Sequence, residues 1–280
     1  MIIALFANTS KRQSKNLAIG ICEFLASQGV TVVAEDEAAS ELNAKPLSEV
    51  DVREIKFLIS MGGDGTILRL VHNYEHLDAA ILGINLGHLG FMADVPISDI
   101  YPSLQDLISG AYRIEDRVVL HGESVHNNHC FAVNDIVIHR GKNPSLVELA
   151  IHVNGTYLNT FEADGIIIAT PNGSTAYSLA AGGPILSPNL EAIVITPISP
   201  HTISNRPIVL TATEEIQIQY LSDYDPVEIR ADGFSHQDLS TGEVFRISRS
   251  QKKFKLVNLS RRDYFSTLRT KLGWAGKLRN

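Results

Sequence analysis

The chain of 280 residues predicts an α/β fold in two parts. An N-terminal doubly wound, Rossmann-like α/β domain is followed by a C-terminal β-rich, β-sandwich-like domain. Three observations carry this. The first hundred residues alternate strand and helix signals. A glycine-rich loop follows the third strand signal at once. Beyond Gly110, strand signals succeed one another with turns between them.

The elements follow in order. Ile2 to Ala7 is a continuous apolar run, as in a strand buried on both faces. Leu17, Ile21, Phe24 and Leu25 form the stripe of a helix that Ser14 would cap and Gly29 would stop. Val30 to Ala34 is a second strand and Ile55 to Ser60 a third. The next helix carries Ile67, Leu68 and Val71 on one face, and Ala79 to Ile84 is a fourth strand. This βαβ rhythm predicts a parallel sheet. A helix near Ile97 to Ile108 ends at Gly110.

The boundary is expected between Val95 and Arg113, giving an α/β domain of residues 1–100 and a β-rich domain of residues 101–261. Strands are expected over Arg117–Leu120, Phe131–His139, Leu146–Val153, Gly165–Ala169, Ile216–Leu221, Val244–Ser248 and Phe254–Leu259. Asn154-Gly155 is a hairpin signal. One helix is expected near Ser174 to Ala181. Residues 262–280 carry a last helix with Phe265, Leu268 and Leu272 on one face, which is expected to return to the first domain.

Composition narrows the function. A net charge of -7 argues against a nucleic-acid binder. Two cysteines make no disulfide framework and fit a reducing compartment. The first apolar run lacks a basic flank and is too short for a signal peptide, and no apolar stretch approaches the ~20 residues that span a bilayer. A soluble, cytoplasmic protein without a membrane or nucleic-acid partner is the expectation.

Four segments carry chemistry. Gly62-Gly63-Asp64-Gly65-Thr66 lies where a strand gives way to a helix, the usual ligand position in an open α/β sheet. Its glycines and the helix N-terminus suit a phosphate, and Arg69 belongs to the same donor-phosphate set. Asp64 would repel that anion, so it is read as a base toward an attacking hydroxyl or as a magnesium ligand. The plain alternative is a turn that needs positive φ. The loop fits neither the Walker pattern nor the dinucleotide fingerprint.

Asn85-Leu86-Gly87-His88-Leu89-Gly90-Phe91 is a second strand-end loop, where Phe91 offers a ring for a base or packs in the core. Asn134 and Asp135 interrupt an apolar strand, and buried polar groups need partners. A ligand diol is one such partner; a strand end where both stay wet is the alternative. Ala163-Asp164-Gly165 leads through a buried strand into Thr170-Pro171-Asn172-Gly173-Ser174-Thr175-Ala176-Tyr177-Ser178, where open backbone donors and hydroxyls collect. His126, His129 and Cys130 lie close together without a fourth ligand, so no metal site is expected there.

Together these segments resemble the NAD kinase family. Gly182-Gly183-Pro184-Ile185, Asn205-Arg206-Pro207-Ile208-Val209-Leu210 and Ala231-Asp232-Gly233 extend the resemblance over most of the chain. It implies phosphorylation of the adenosine 2′-hydroxyl of NAD, with ATP or another phosphoryl donor such as polyphosphate. Mg²⁺ or another divalent cation would arrive with that donor. It also implies NAD held between two domains of a homodimer or homotetramer. By the same resemblance Asp64 is catalytic, Gly65 and Phe91 line the NAD pocket, and Asn134 and Asp135 hold a ribose. Asp164 reaches the nicotinamide end. Thr175, Ala176, Tyr177 and Ser178 surround the nicotinamide ribose or adenine, and Asp232 lies at the rim. Asp135 stands where the family usually has Glu, and Asn172 where it usually has Thr or Ser, which implies altered affinity. Two rivals are a lipid kinase sharing the first loop and a non-catalytic NAD(P) sensor.

Overall fold

The computed structural model describes residues 1–126, 128–201, 206–261 and 263–274. The opening apolar run forms β1 (Ile2–Ala7), whose four central residues are buried. It pairs in parallel with β2 (Thr31–Ala34) on one side and β4 (Ile55–Met61) on the other. The short β3 (Lys45–Pro46) extends the sheet beyond β2, and β5 (Ala80–Asn85) extends it beyond β4. The strand β6 (Ala93–Pro96) also pairs with β5. Past β5 the sheet continues through a returning strand, Phe254–Asn258, to β7 (Arg113–Arg117).

Helices α1 (Arg12–Ser27), α2 (Asp36–Ala39), α3 (Asp64–Asn73) and α4 (Ile100–Ser109) connect the strands. Gly29 and Gly110, at φ 74° and 83°, close α1 and α4 as the sequence predicts. Ser14 does not cap α1. The helix begins two residues earlier, at Arg12, and Ser14 is buried inside it. Its hydroxyl is buried without a hydrogen-bond partner among the described residues and caps nothing.

The chain divides into two units: Met1–Glu115 with Lys255–Asn280, and Asp116–Phe254. The division falls later than residue 100 because α4 stays with the first unit. Leu104 and Leu107 share a core with Ile3, Leu5, Phe57 and Leu82. It also falls earlier than residue 262, because Val257 and Leu259 of the returning segment join that core.

The second unit holds two six-stranded antiparallel sheets. Its strands are β8 (Leu120–Ser124), β9 (His129–Ala132), β10 (Asp135–His139), β11 (Val147–Val153), β12 (Thr156–Ala163), β13 (Gly165–Ala169), β14 (Ala192–Ile198), β15 (Ile208–Thr211), β16 (Ile216–Tyr220), β17 (Val227–Ala231), β18 (Phe234–Leu239) and β19 (Val244–Arg249). One sheet has the order β15-β14-β13-β10-β17-β18 and the other β12-β11-β16-β19-β8-β9. Alternate residues of both enclose one apolar core, including Ile136, Ile138, Leu149, Ile151, Ile166, Ile168, Ile218 and Phe245. The opposite face of β10, β13 and β14 is also covered, with Val137, Ile167, Val194 and Leu186 clustered there. Burial on two faces explains why β13 reads as an unbroken apolar run.

The single strand expected over Phe131–His139 is two strands in different sheets. The chain leaves β9 and enters β10 at Val133-Asn134. The polar residues sit at that crossing because the ladder is interrupted there. Asn154 and Gly155, at φ 50° and 77°, make the expected tight turn between β11 and β12. The helix expected over Ser174–Ala181 is one 3₁₀ turn, Gly173–Thr175, and the single α turn α5 (Tyr177–Ala180).

The returning strand is β20 (Phe254–Asn258), and the chain ends in α6 (Tyr264–Leu272), capped by the Asp263 carboxylate on the Ser266 N–H. Leu268 is buried, but Phe265 is 62% exposed, so the apolar face is not the one the sequence predicts. Instead Tyr264 and Lys271 lie against Phe91, at 6.1 Å between rings and 5.0 Å from Nζ to the ring centre. Among the described residues, no helix is long and apolar enough to cross a membrane.

Candidate active site

In the first unit the glycine loop sits between β4 and α3. None of Gly62, Gly63 and Gly65 has positive φ, so the turn-conformation explanation fails. Gly62 is required sterically: a Cβ there would collide with the Thr66 side chain, while its N–H donates to the Ile84 carbonyl at 2.9 Å. A Cβ on Gly63 or Gly65 would meet nothing within 4 Å. Those two leave open space beside the N-terminus of α3, where backbone N–H groups are unpaired within the helix. Arg69, on α3, is exposed.

Asp64 is the first residue of α3. Its Oδ2 accepts the Phe91 N–H at 2.8 Å, and its Oδ1 accepts the N–H groups of Met92 and Ala93 at 2.9 and 3.0 Å. A side chain on Gly90 would collide with Oδ1, which accounts for the glycine. Asn85 shapes the start of the same loop by accepting the Gly87 N–H at 2.7 Å. The carboxylate therefore holds the loop 85–93 against the helix N-terminus, a role the spacing alone does not disclose.

The second unit repeats the device. Asp232 and Gly233, at φ 52° and 82°, form the two-residue turn between β17 and β18. The Asp232 carboxylate accepts the successive N–H groups of Val133, Asn134 and Asp135 at 2.9, 2.7 and 3.2 Å. The Asp232 N–H donates back to the Asp135 carbonyl at 2.9 Å. From the other side the Thr170 N–H and Oγ1 donate to the carbonyls of Asn134 and Val133, and Asn172 Nδ2 donates to Asn134 Oδ1 at 2.7 Å. Gly173 packs so closely on the Asn134 carbonyl that no side chain fits. Asn172 thus serves as a direct brace for Asn134.

Asp135 is buried, and burial, with the Asp232 charge as a lesser cause, pushes its carboxyl from 3.8 up to about 7. It opens on a cavity of about 580 Å³ lined also by Asn134, Val137, His139, Gly141, Lys142, Ala176, Tyr177, Glu228, Arg230, Asp232 and Gly233. That is a volume typical of a small-ligand site. The wall brings together five residues singled out from sequence: Asn134, Asp135, Ala176, Tyr177 and Asp232.

Other expected residues lie elsewhere. Ser178 is buried with its hydroxyl bonded to Thr196 Oγ1 at 2.9 Å, so it supports the turn from beneath. Thr175 Oγ1 donates to the Asn172 carbonyl at 3.2 Å. Asp164 precedes β13 and meets Arg140 as an ion pair, Nε to Oδ1 at 2.7 Å, without the alignment of a hydrogen bond. Gly65 and Phe91 belong to the first unit. Asn205 lies outside the described residues. Arg140, Lys142 and Arg230 were missed from sequence. Their signal was weak: Arg230 alternates with buried Ile229 and Ala231 on β17, and Arg140 follows the last residue of a buried strand.

Comparison with known proteins follows the same division. Residues 3–112 match the family model for the ATP-NAD kinase N-terminal domain, and residues 133–259 that for the C-terminal domain. The NAD kinase of Protochlamydia amoebophila (strain UWE25) is 58% identical over 99% of this chain and 100% of its own length. That of Moorella thermoacetica is 37% identical over 98% of this chain and 90% of its own. Yeast NADH kinase, solved with NADH, superposes with a TM-score of 0.88 at 28% identity, covering 100% of this chain and 89% of its own. An NAD kinase from Archaeoglobus fulgidus, solved with ATP, gives 0.74 at 25% identity, covering 99% of this chain and 100% of its own. The chain belongs to the NAD kinase family and is a phosphotransferase.

Proposed function

We propose that this protein transfers the terminal phosphoryl group of ATP to the 2′-hydroxyl of the adenosine ribose of NAD, giving NADP and ADP. The observation that carries this is the Asn134–Asp135 step, locked by Asp232 and opening on the cavity of the second unit. An amide and a carboxylate suit a ribose diol, and the nearby Lys142 and Arg230 suit a diphosphate. Tyr177, 43% exposed, offers a ring face to a base. Asp164, with Arg140 beside it, takes the nicotinamide end, and Thr175 stiffens the segment bearing Ala176 and Tyr177. The neighbours solved with NADH and with ATP support both substrates for this chain.

In the reaction the 2′-oxygen attacks the γ-phosphorus. A new O–P bond forms as the bond to the β,γ-bridging oxygen breaks, and ADP leaves with that electron pair. The hydroxyl proton passes to Asp64 and then to solvent. Asp64 Oδ2 accepts one N–H and so keeps a lone pair for this hydrogen bond. Gly62, Gly63, Gly65 and Thr66, with Arg69, receive the donor phosphates. Gly65 and Phe91 border the acceptor.

A divalent cation such as Mg²⁺ is expected with the donor, and among the described residues the glycine loop offers no cage for it. Asp64 is the lone carboxylate of its loop, and three N–H groups already occupy it. Mg²⁺ prefers six oxygens, several from water and phosphate, so the ion belongs to the nucleotide. We place the enzyme in the cytoplasm as a homodimer or homotetramer. A coupled assay with NAD or NADH, each with ATP or polyphosphate, tests the reading. NADP formed from NAD and ATP is expected. NAD binding without any phosphorylated product from any pairing would reduce the protein to a sensor.

A further inference from the structure

On the outer face of the sheet containing β8, β9 and β19, three side chains with metal-ligating atoms converge. His121 and Glu123 are two residues apart on β8, so both project from the same face. His129 on β9 stands directly across from Glu123 in register. The residues between them face the core. Cys130 is buried, and a Cβ on Gly122 would lie 2.8 Å from its Sγ. Cys130 is therefore no ligand, and burial pushes its thiol up to about 12. His126 is also otherwise engaged, with Nε2 at 2.7 Å from Glu243 Oε1.

One ligand atom from each of His121, Glu123 and His129 lies within 4.8 Å of the others. His121 Nε2 is 3.9 Å from Glu123 Oε2, and the two imidazole rings stack at 5.4 Å with 25° between their planes. Arg246, across from Glu123 on β19, approaches its other oxygen to 3.9 Å.

We propose that His121, Glu123 and His129 form a site for a borderline divalent transition ion of the zinc class, separate from phosphoryl transfer. Two imidazoles and one carboxylate suit zinc, copper or nickel, whereas Mg²⁺ and Ca²⁺ prefer oxygen ligands alone. Tetrahedral zinc with bonds of about 2.0–2.1 Å brings its ligand atoms to about 3.4 Å from one another. The three side chains must close by somewhat more than ~1 Å to reach this. They are half-exposed to exposed, so their rotamers can adjust, while the paired strands fix their Cα positions. The fourth position is left to water. The bound ion ties β8 to β9 and displaces Arg246 from Glu123.

The test is zinc titration calorimetry on the full-length protein, with visible absorption of added Co²⁺ as a second readout. Wild type is compared with His121→Ala/His129→Ala, Glu123→Gln and His126→Ala. One ion per chain is expected, with a tetrahedral cobalt band. The double variant should bind at least ~100-fold more weakly, since loss of a mere outer-shell partner already costs ~10–100-fold. Glu123→Gln should weaken binding in the same direction, and His126→Ala should leave it unchanged. Zinc should raise the melting temperature of wild type and not of the double variant, while both melt alike without it. No uptake by wild type, or equal uptake by the double variant, overturns the proposal. So does loss of uptake in His126→Ala alone.

Discussion

Replacing Asp135 by Asn should make the protein more stable, and increasingly so as pH rises. The Asp135 carboxyl stands at about 7 in the fold against an ordinary 3.8. The folded state therefore holds a proton that the unfolded state has released between those values. Stability falls as pH rises from about 4 to about 7, and above that the loss is complete. At ~1.4 kcal/mol per pH unit, the gap amounts to ~4 kcal/mol. Asn keeps the shape and an acceptor oxygen but cannot ionise, so it escapes this penalty. Its amide can also donate toward the Asp232 carboxylate. Urea unfolding of both proteins at pH 5 and pH 8 isolates the term, because all other titrations are common to them. The advantage of Asp135→Asn should be ~2.5 kcal/mol larger at pH 8 than at pH 5. An advantage that does not change with pH would refute the reasoning, as would a variant less stable at pH 8. If Asp135 holds a ribose, the stabler variant should also show a raised KM for NAD.

The remaining predictions concern the two aspartate anchors and their surroundings. Asp64→Asn should lower kcat by ~10²–10⁴-fold, the range of a lost general base. It should also loosen loop 85–93, because an amide NH₂ in place of Oδ2 faces the Phe91 N–H; faster hydrogen exchange at Phe91–Ala93 reads this separately. Asp232→Ala leaves three successive N–H groups without their acceptor and should cost ~1–3 kcal/mol for each that stays buried, read by thermal unfolding. Gly173→Ala drives a methyl into the Asn134 carbonyl and should raise KM for NAD more than it lowers kcat, measured by steady-state kinetics. Arg140→Met removes the partner of Asp164 and should weaken NAD binding, with kcat at saturating NAD nearly kept; an unchanged KM would exclude Arg140 from the site.

Much of this protein was legible in its sequence because the signals are local. The buried β1 and β13 runs, the terminal glycines of α1 and α4, and the Asn154-Gly155 turn each follow from a few neighbouring residues. The glycine loop, Asp64 and the Asn134-Asp135 pair stood out for the same reason: each breaks a local pattern. What local pattern cannot carry is distance. That Asp64 binds residues 27 to 29 positions onward, and that Asp232 grips a strand crossing 97 to 99 positions earlier, depends on which strands become neighbours. The same holds for the splitting of Phe131–His139 between two sheets, the placing of Lys142 and Arg230 on the cavity that Asp135 lines, and the meeting of His121, Glu123 and His129 across β8 and β9. Sequence determined the residue types and the elements that carry them. Tertiary structure alone decided their partners, because hydrogen bonding and burial act between groups that touch, whatever their separation along the chain.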